Sequence, residues 1–264
     1  MKTILLGTMT YKGKDYILDR WMKRINKLII PDNTLVDFLV IDNTDDDGEY
    51  ASFINKNYNI KVLRSKRYDD TRTTIATARN MLRDKVIECN YDYLFMLEID
   101  VIPPIDILTE LINHDVPVVS GYYYVGQGLH FKRPCVVLPF KEMEGVKTFD
   151  EAVKYKSENK IIENAVELAL TKNKLVKVFE GSMGNCLIKK EVLEKIKFIH
   201  MKGSEITHDD TFFYADCDMN NIPVYVDSDM LCSHFQSTWY KELVLQRVDE
   251  REWHASQIKN IGEQ

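Results

Sequence analysis

A short apolar segment that ends in two acidic residues restricts most strongly how this chain can fold. The segment Tyr93–Leu97 carries no charge, is followed by Glu98 and Asp100, and a pair of prolines comes next. Such a run is typical of a strand buried on both faces of a parallel sheet, and proline cannot continue the strand's hydrogen bonding. Because alternate side chains of a strand point to the same side, the sequence predicts that Glu98 and Asp100 leave the sheet together.

Two neighbouring carboxylates repel each other unless a cation or a proton lies between them. A divalent metal that prefers oxygen ligands, Mn²⁺ or Mg²⁺, would explain the pair. The alternative is structural, because acids that follow a strand also cap helices or face water, and Asp106 is placed to cap a following helix. On this motif alone, both interpretations stay open.

The first half of the chain alternates short apolar strands with helical patterns. Strands are predicted at residues 3–9, 36–42, 60–64 and 93–97, and helices at 15–28 and 73–89. This β-α-β-α order predicts an α/β fold with a mostly parallel, doubly wound sheet flanked by helices. In such sheets, ligands bind beyond the C-terminal ends of the strands.

The second half is less regular. It predicts strands at 117–124, 134–140, 175–179, 185–188 and 222–226, and helices at 191–196 and 209–219. Residues 141–174 are rich in lysine and glutamate, with a helical stripe, and are interpreted as a surface insertion. No linker rich in proline, glycine or serine divides the chain, so a single domain is predicted.

Composition argues against some partners. The formal net charge is −6, with both signs mixed along the chain, which argues against nucleic-acid binding. No stretch approaches the length of a transmembrane segment. The five cysteines are scattered and lack metal-finger spacing, which predicts buried free thiols and a reducing, cytoplasmic location.

Two residues of the first half are candidates for ligand binding. Asp42 ends the second predicted strand, where an acid either contacts a ribose or base or caps its own turn. Arg79 lies at the edge of the apolar stripe of the helix at 73–89. Its guanidinium stays charged, so it must face an anion, which is either a buried carboxylate or a diphosphate.

Two motifs of the second half also carry two interpretations each. Asp209 and Asp210 open a predicted helix, where acids cap the helix or, at the rim of a cleft, act as a general base. His234 follows the last predicted strand among aromatic residues. It is either a packed core residue or a third ligand for manganese or a similar ion.

Taken together, these motifs resemble the glycosyltransferases of the GT-A fold, close to the family-2-like inverting group. The resemblance runs in order over most of the chain. It includes Thr8 to Tyr11, Asp42, the Ala78-Arg79-Asn80 helix, Glu98-Ile99-Asp100 in the place of an Asp-x-Asp motif, the glycine turn from Gly181, the Asp209-Asp210 pair and His234. Glutamate replaces the first aspartate of the metal motif, and Asp209 replaces the usual glutamate of the base motif.

The resemblance implies a hexosyltransferase-type enzyme that moves a sugar, with inversion, from a nucleoside-diphosphate sugar, UDP- or GDP-linked, to a hydroxyl of a carbohydrate or glycan. The implied donor-binding residues are Thr8, Tyr11, Asp42, Arg79, Glu98 and Gly181. The implied ligands of Mn²⁺ or Mg²⁺ are Glu98, Asp100 and His234. Asp210, or else Asp209, is the implied base. The implied domain is 1–264, with a nucleotide-binding half at 1–102 and an acceptor half at 103–264 that carries the helical insertion.

Other functions stay open. A nucleotidyltransferase also uses a parallel sheet and metal-binding acids, although no glycine-rich, lysine-bearing loop follows the first strand. A non-catalytic nucleotide- or sugar-binding module would bind the donor without turnover, and an α/β domain with structural acids would bind neither metal nor nucleotide. The charged segment from about residue 241 offers a contact surface for a homo-oligomer.

Overall fold

The computed structural model describes residues 1–126, 132–138, 173–200 and 208–235. Its strands are β1 (Lys2–Thr10), β2 (Thr34–Asp42), β3 (Lys61–Arg64), β4 (Tyr93–Leu97), β5 (Val101–Ile102), β6 (Val118–Tyr122), β7 (Tyr124–Gly126), β8 (Lys132–Pro134), β9 (Leu175–Val178), β10 (Asn185–Lys189), β11 (Val224–Leu231) and β12 (Ser233–His234). Its α-helices are α1 (Asp15–Ile25), α2 (Glu49–Tyr58), α3 (Thr71–Glu88), α4 (Ile107–Asn113), α5 (Lys190–Lys195) and α6 (Asp209–Met219). A 3₁₀ turn, Lys12–Lys14, joins β1 to α1.

Eight strands form one sheet in the order β3-β2-β1-β4-β10-β6-β11-β9. β1 to β4 are parallel to one another, β6 is parallel to β11, and β10 and β9 run antiparallel to their neighbours. Within this sheet, all strands except β9 and β10 therefore share one direction, so their C-terminal ends meet at one edge. The predicted α/β fold with a mostly parallel sheet is confirmed.

Helices cover both faces of this sheet. Alternate side chains of β4 point to opposite faces, as the pleat requires. Leu94 and Met96 belong to the core under α3, whereas Phe95 and Leu97 belong to the core under α1. Every residue of β4 is buried, and the predicted double burial of this strand is therefore confirmed.

Short elements account for the differences from the predicted pattern. The helix α2 was not predicted, because it follows a turn-like run that ends at Gly48. The helix α4 begins directly after Asp106, where the cap interpretation places a helix, but the Asp106 side chain makes no cap hydrogen bond and the seven residues of α4 are too few for a clear helical repeat. The strand predicted at 134–140 is wrong for its described part, since β8 ends at Pro134 and Val137 makes a single bridge to Glu180. Most of the predicted insertion at 141–174 and the segment from residue 241 lie outside the described residues.

The structure also bears on the predictions about membrane-spanning segments and about the cysteines. No helix in the described ranges combines the length and the apolar character that crossing a membrane requires. All five cysteines lie within those ranges as free thiols; Cys186, Cys217 and Cys232 are buried, whereas Cys89 is exposed. The cytoplasmic location stays a prediction.

Gly121 allows a close approach between the strands β6 and β11. The pairing of β6 with β11 shifts register between Val226 and Leu231, where β11 is irregular. A Cβ added at Gly121 would overlap the carbonyl oxygen of Met230 and lie 3.0 Å from the Cβ of the same residue. Only glycine leaves room for this backbone contact.

Gly121→Ala is therefore expected to lower the free energy of unfolding by about 1–3 kcal/mol, the usual cost of overpacking, because β6 and β11 would have to separate. Urea denaturation measures this change. Leu35→Thr, at an exposed position of β2, is the control and should change stability by less than about 0.5 kcal/mol. Equal stability of Gly121→Ala and the wild type would mean that the irregular segment of β11 moves freely.

Candidate functional site

The two acids after β4 lie in a turn and not on the strand itself. We call residues 98–100 the acid turn. Three backbone hydrogen bonds hold it: the N–H of Glu98 donates to the carbonyl of Gly184 at 2.8 Å, that of Val101 to the carbonyl of Glu98 at 3.0 Å, and that of Phe235 to the carbonyl of Asp100 at 2.8 Å. The acid turn is thereby fixed to β10 and β12, which both lie far from it in sequence.

Glu98 faces a buried arginine. Arg79 of α3 is 4% exposed, and its Nη2 donates to Oε1 of Glu98 at 2.6 Å while its Nη1 donates to Oδ1 of Asp209 at 2.8 Å. Burial alone would lower the pKa of Arg79, but the carboxylates of Asp209 and Glu98 raise it above its usual value. Burial raises the pKa of Asp209, although Arg79 opposes this shift.

Arg79, Glu98 and Asp209 form an ion-pair triad in which the two carboxylates neutralise the guanidinium. This arrangement agrees with the structural interpretation of Arg79. Both terminal nitrogens of the guanidinium are directed at carboxylates. Arg79 also does not line the cavity that opens beside the acid turn, which is described below. A contact between Arg79 and a diphosphate therefore stays a prediction.

Asp100 faces a different set of groups. Nζ of Lys14 forms an ion pair with Oδ2 of Asp100, and Nε2 of His234 lies 3.7 Å from the same oxygen. Pairing of β12 with β5 brings His234 opposite Val101. Burial would raise the pKa of Asp100, but His234 and Lys14 together hold it below its usual value.

Asp100 and His234 fit a divalent cation in part. A carboxylate and an imidazole are suitable ligands for Mn²⁺, and donor atoms 3.7 Å apart can both contact one ion at the usual bond length of about 2.1 Å. Glu98 is directed at Arg79 instead. Among the described residues, no group of three or more His, Cys, Asp or Glu is arranged to hold a metal ion. Coordination by Glu98 stays a prediction.

A cavity of about 240 Å³ opens beside the acid turn at the C-terminal edge of the sheet. It lies where a doubly wound sheet binds its ligands. Two cationic side chains, Lys14 and Arg67, line it together with Glu98 and Asp100. The remaining lining residues are Met9, Thr10, Tyr11, Asn43, Thr71, Thr74, Ile75 and Ile99.

Tyr11, a predicted donor-binding residue, lines the cavity just after the end of β1. The guanidinium carbon of Arg67 lies 4.8 Å from the centre of the Tyr11 ring, a cation–π arrangement. A Cβ on Gly13 would overlap the same ring, so the ring is packed between Gly13 and Arg67. Thr8 is buried and does not line the cavity.

Asp42 is buried at the end of β2, directly before the cavity residue Asn43. Its Oδ1 accepts hydrogen bonds from the backbone N–H of Thr44 at 2.9 Å and from the Thr44 hydroxyl at 2.6 Å, as the turn-cap interpretation predicts. Its Oδ2 is buried without a hydrogen-bond partner among the described residues. Burial raises the pKa of Asp42, although the bonds from Thr44 oppose the shift.

The two acids that open α6 differ in environment. Asp209 is buried and bound to Arg79 through Oδ1, and its Oδ2 has no hydrogen-bond partner within the described ranges. Asp210 is partly exposed, and its Oδ1 accepts a hydrogen bond from the backbone N–H of Thr211 at 2.8 Å. Of the pair, Asp210 is the more exposed acid, and neither of the two lines the cavity beside the acid turn.

The glycine turn before β10 contacts the site through Gly184 and not through Gly181. Gly181 is buried against β6, where a Cβ would lie 2.8 Å from Oγ of Ser120. A Cβ on Gly184 would lie 2.7 Å from the hydroxyl of Tyr123 and 3.0 Å from Oε2 of Glu98.

The structure therefore forms two sets of the predicted residues, Arg79 with Glu98 and Asp209, and Asp100 with His234, which the acid turn joins. Lys14, Arg67, Asn43 and Gly184 were not predicted. The sequence signal for Gly184 was its place in the quoted glycine turn, whereas Lys14 and Arg67 lie in lysine- and arginine-rich loops that give no periodic signal.

Comparisons with known proteins define the fold class. No family model matches the chain, and no curated protein matches its sequence. S. aureus TarS 1-349 in complex with UDP-GlcNAc is similar over 90% of this chain and 60% of that chain, with 14% identity and a TM-score of 0.53. GalNAc-T7 with UDP, GalNAc and Mn²⁺ is similar over 90% of this chain and 45% of that chain, with 12% identity and a TM-score of 0.56.

The chain thus spans less than two thirds of either protein. These structural neighbours are glycosyltransferases of the GT-A fold. At such low identity the likeness shows the fold alone, and the predicted GT-A-like fold is confirmed.

Arg79→Met is expected to lower the free energy of unfolding by about 3–5 kcal/mol, because it leaves the buried Asp209 and its neighbour Glu98 without their cation. Urea denaturation of the variant gives this value. The double variant Arg79→Met/Asp209→Asn removes the buried charge as well and should recover a large part of the loss.

The matched control is Arg83→Met on the same helix. Arg83 is also buried, but its carboxylate partner, Asp84, is 54% exposed, so this variant should cost less. A loss for Arg83→Met as large as that for Arg79→Met would contradict the special role of the triad.

Proposed function

We propose that this protein transfers a sugar from a nucleoside-diphosphate sugar, by inversion, to a hydroxyl of a carbohydrate or glycan. The observation that carries the proposal is the cavity at the C-terminal edge of the sheet. It combines cationic groups, Lys14 and Arg67, with the acid turn on a GT-A fold. A diphosphate needs cations, and a nucleoside needs the polar and aromatic groups beside them.

The nucleoside would bind between the ends of β1 and β2, and the diphosphate near Lys14 and Arg67. Tyr11 and Asn43 line this part of the cavity, and the unpartnered Oδ2 of Asp42 is buried next to Asn43. A UDP-linked donor is favoured because the neighbouring structures contain UDP-GlcNAc and UDP. Thr8 and Gly181 would act through packing, since neither lines the cavity.

Asp100 and His234 are the residues that would hold Mn²⁺ or Mg²⁺, with Glu98 as a further predicted ligand, directly or through water. When bound, the ion would stabilise the negative charge that develops on the leaving diphosphate. GalNAc-T7, one of the structural neighbours, contains Mn²⁺, which supports a divalent metal here.

Asp210 would act as the general base. As the acceptor oxygen bonds to the anomeric carbon, the bond from that carbon to the diphosphate oxygen breaks, and the hydroxyl proton moves to Asp210. Attack from the face opposite the leaving group inverts the configuration, through a transition state with oxocarbenium character. The partial exposure of Asp210, beside an Asp209 fixed by Arg79, supports this assignment.

Asp210→Asn is expected to lower kcat by about 10²–10⁴-fold, because general-base catalysis contributes that much, while the Kd of the donor stays unchanged. Release of UDP from UDP-sugars with Mn²⁺ and a mixed glycan acceptor pool measures turnover, and calorimetry measures the Kd. Asp218→Asn, at an exposed position of α6, is the control and should keep the wild-type rate.

Wild-type kcat in Asp210→Asn would rule out the base. Release of pyrophosphate without a nucleoside diphosphate would favour a nucleotidyltransferase. Donor binding without any turnover would favour a binding module.

A further inference from the structure

The cation next to Asp100 is a side chain of the protein itself, Lys14. Lys14, at the end of the 3₁₀ turn, forms an ion pair with Oδ2 of Asp100, the same oxygen that lies 3.7 Å from Nε2 of His234. The side chain of Asp100 is 7% exposed and that of Lys14 is 27% exposed. Surface pairs of this chain are different: in Lys23–Asp19, for example, both side chains are mostly exposed.

The ammonium contacts Oδ2 of Asp100, the same oxygen that a divalent cation shared with His234 would contact. Two cations cannot both approach the same carboxylate oxygen without strong repulsion in a partly buried site. Glu98 is paired with Arg79 through Oε1, so a divalent cation between Asp100 and His234 would still meet the charge of Lys14. A divalent cation that binds Oδ2 of Asp100 must therefore displace Lys14.

We propose that Lys14 is the resident counter-ion of Asp100, that it keeps divalent cations off the acid turn, and that a bound diphosphate releases it. The release step rests on the proposed function, since it requires a nucleoside diphosphate in the cavity. Metal and nucleotide would then each strengthen the binding of the other, because such coupling between two sites is reciprocal.

The movable group in this arrangement is Lys14. Backbone hydrogen bonds hold Asp100 to Phe235, and the pairing of β5 with β12 holds His234. Lys14 has a flexible four-carbon side chain that also lines the cavity. Its ammonium can therefore turn from Asp100 towards a phosphate oxygen with the acid turn left in place.

The test measures Mn²⁺ binding without nucleotide, by the electron paramagnetic resonance signal of free Mn²⁺. Lys14→Met keeps most of the length of the side chain without its charge and should bind Mn²⁺ at least tenfold more tightly than the wild type. Adding Asp100→Asn to this variant should abolish the gain. Lys12→Met, in the same 3₁₀ turn but exposed and outside the cavity lining, is the matched control and should bind as the wild type does.

Addition of UDP tests the release step. UDP should increase Mn²⁺ affinity in the wild type by a larger factor than in Lys14→Met, because the variant has no ammonium left to release. If Lys14→Met fails to fold, as judged by circular dichroism, Lys14→Gln replaces it in both experiments.

Equal Mn²⁺ affinity in the wild type and Lys14→Met, or a gain that survives Asp100→Asn, would overturn the counter-ion role whatever the enzyme activity. An equal effect of UDP on both proteins would overturn the release step. Absence of UDP binding together with a tighter Mn²⁺ site in Lys14→Met would instead refute the proposed donor and leave the counter-ion role supported.

Discussion

The buried guanidinium of Arg79 connects three parts of the chain that the sequence separates widely. A charge removed from water must be paired, and here Glu98 of the acid turn and Asp209 of α6 pair with it. The C-terminal edge of β4, the middle of α3 and the first turn of α6 therefore have fixed relative positions. Since Asp210 follows Asp209 directly, the same constraint determines where the proposed base lies.

The acid turn resolves the repulsion between its two carboxylates in an unexpected way. The sequence argument requires a cation or a proton between Glu98 and Asp100. The structure has two cations, with Arg79 on Glu98 and Lys14 on Asp100. A carboxylate pair after a buried strand thus indicates a concentration of positive charge, but it does not by itself distinguish a metal ion from side chains of the same chain.

The fold could be predicted because apolar periodicity, summed over many residues, is a strong signal. β4 and α3 are long or uniform enough to carry it, whereas α4 is too short. The need of Arg79 for an anion followed from its chemistry, but the identity of that anion depends on tertiary contacts more than 100 residues apart in sequence, between Arg79 and Asp209. The same limit explains why Gly181 was chosen and Gly184 was not: both are glycines of one turn, and only the packing against Glu98 separates them.

The two cations at the acid turn differ in a way that suits an enzyme better than a binding module. Both terminal nitrogens of Arg79 are paired with carboxylates, so Arg79 fixes the first turn of α6, which carries the proposed base. Lys14 is partly exposed on a short turn and lines the cavity, so it can exchange partners when a ligand arrives. Arg79 would stay fixed beside the proposed base, whereas Lys14 would exchange partners beside the proposed leaving group. The charge of the site could then change while the geometry for proton transfer is kept.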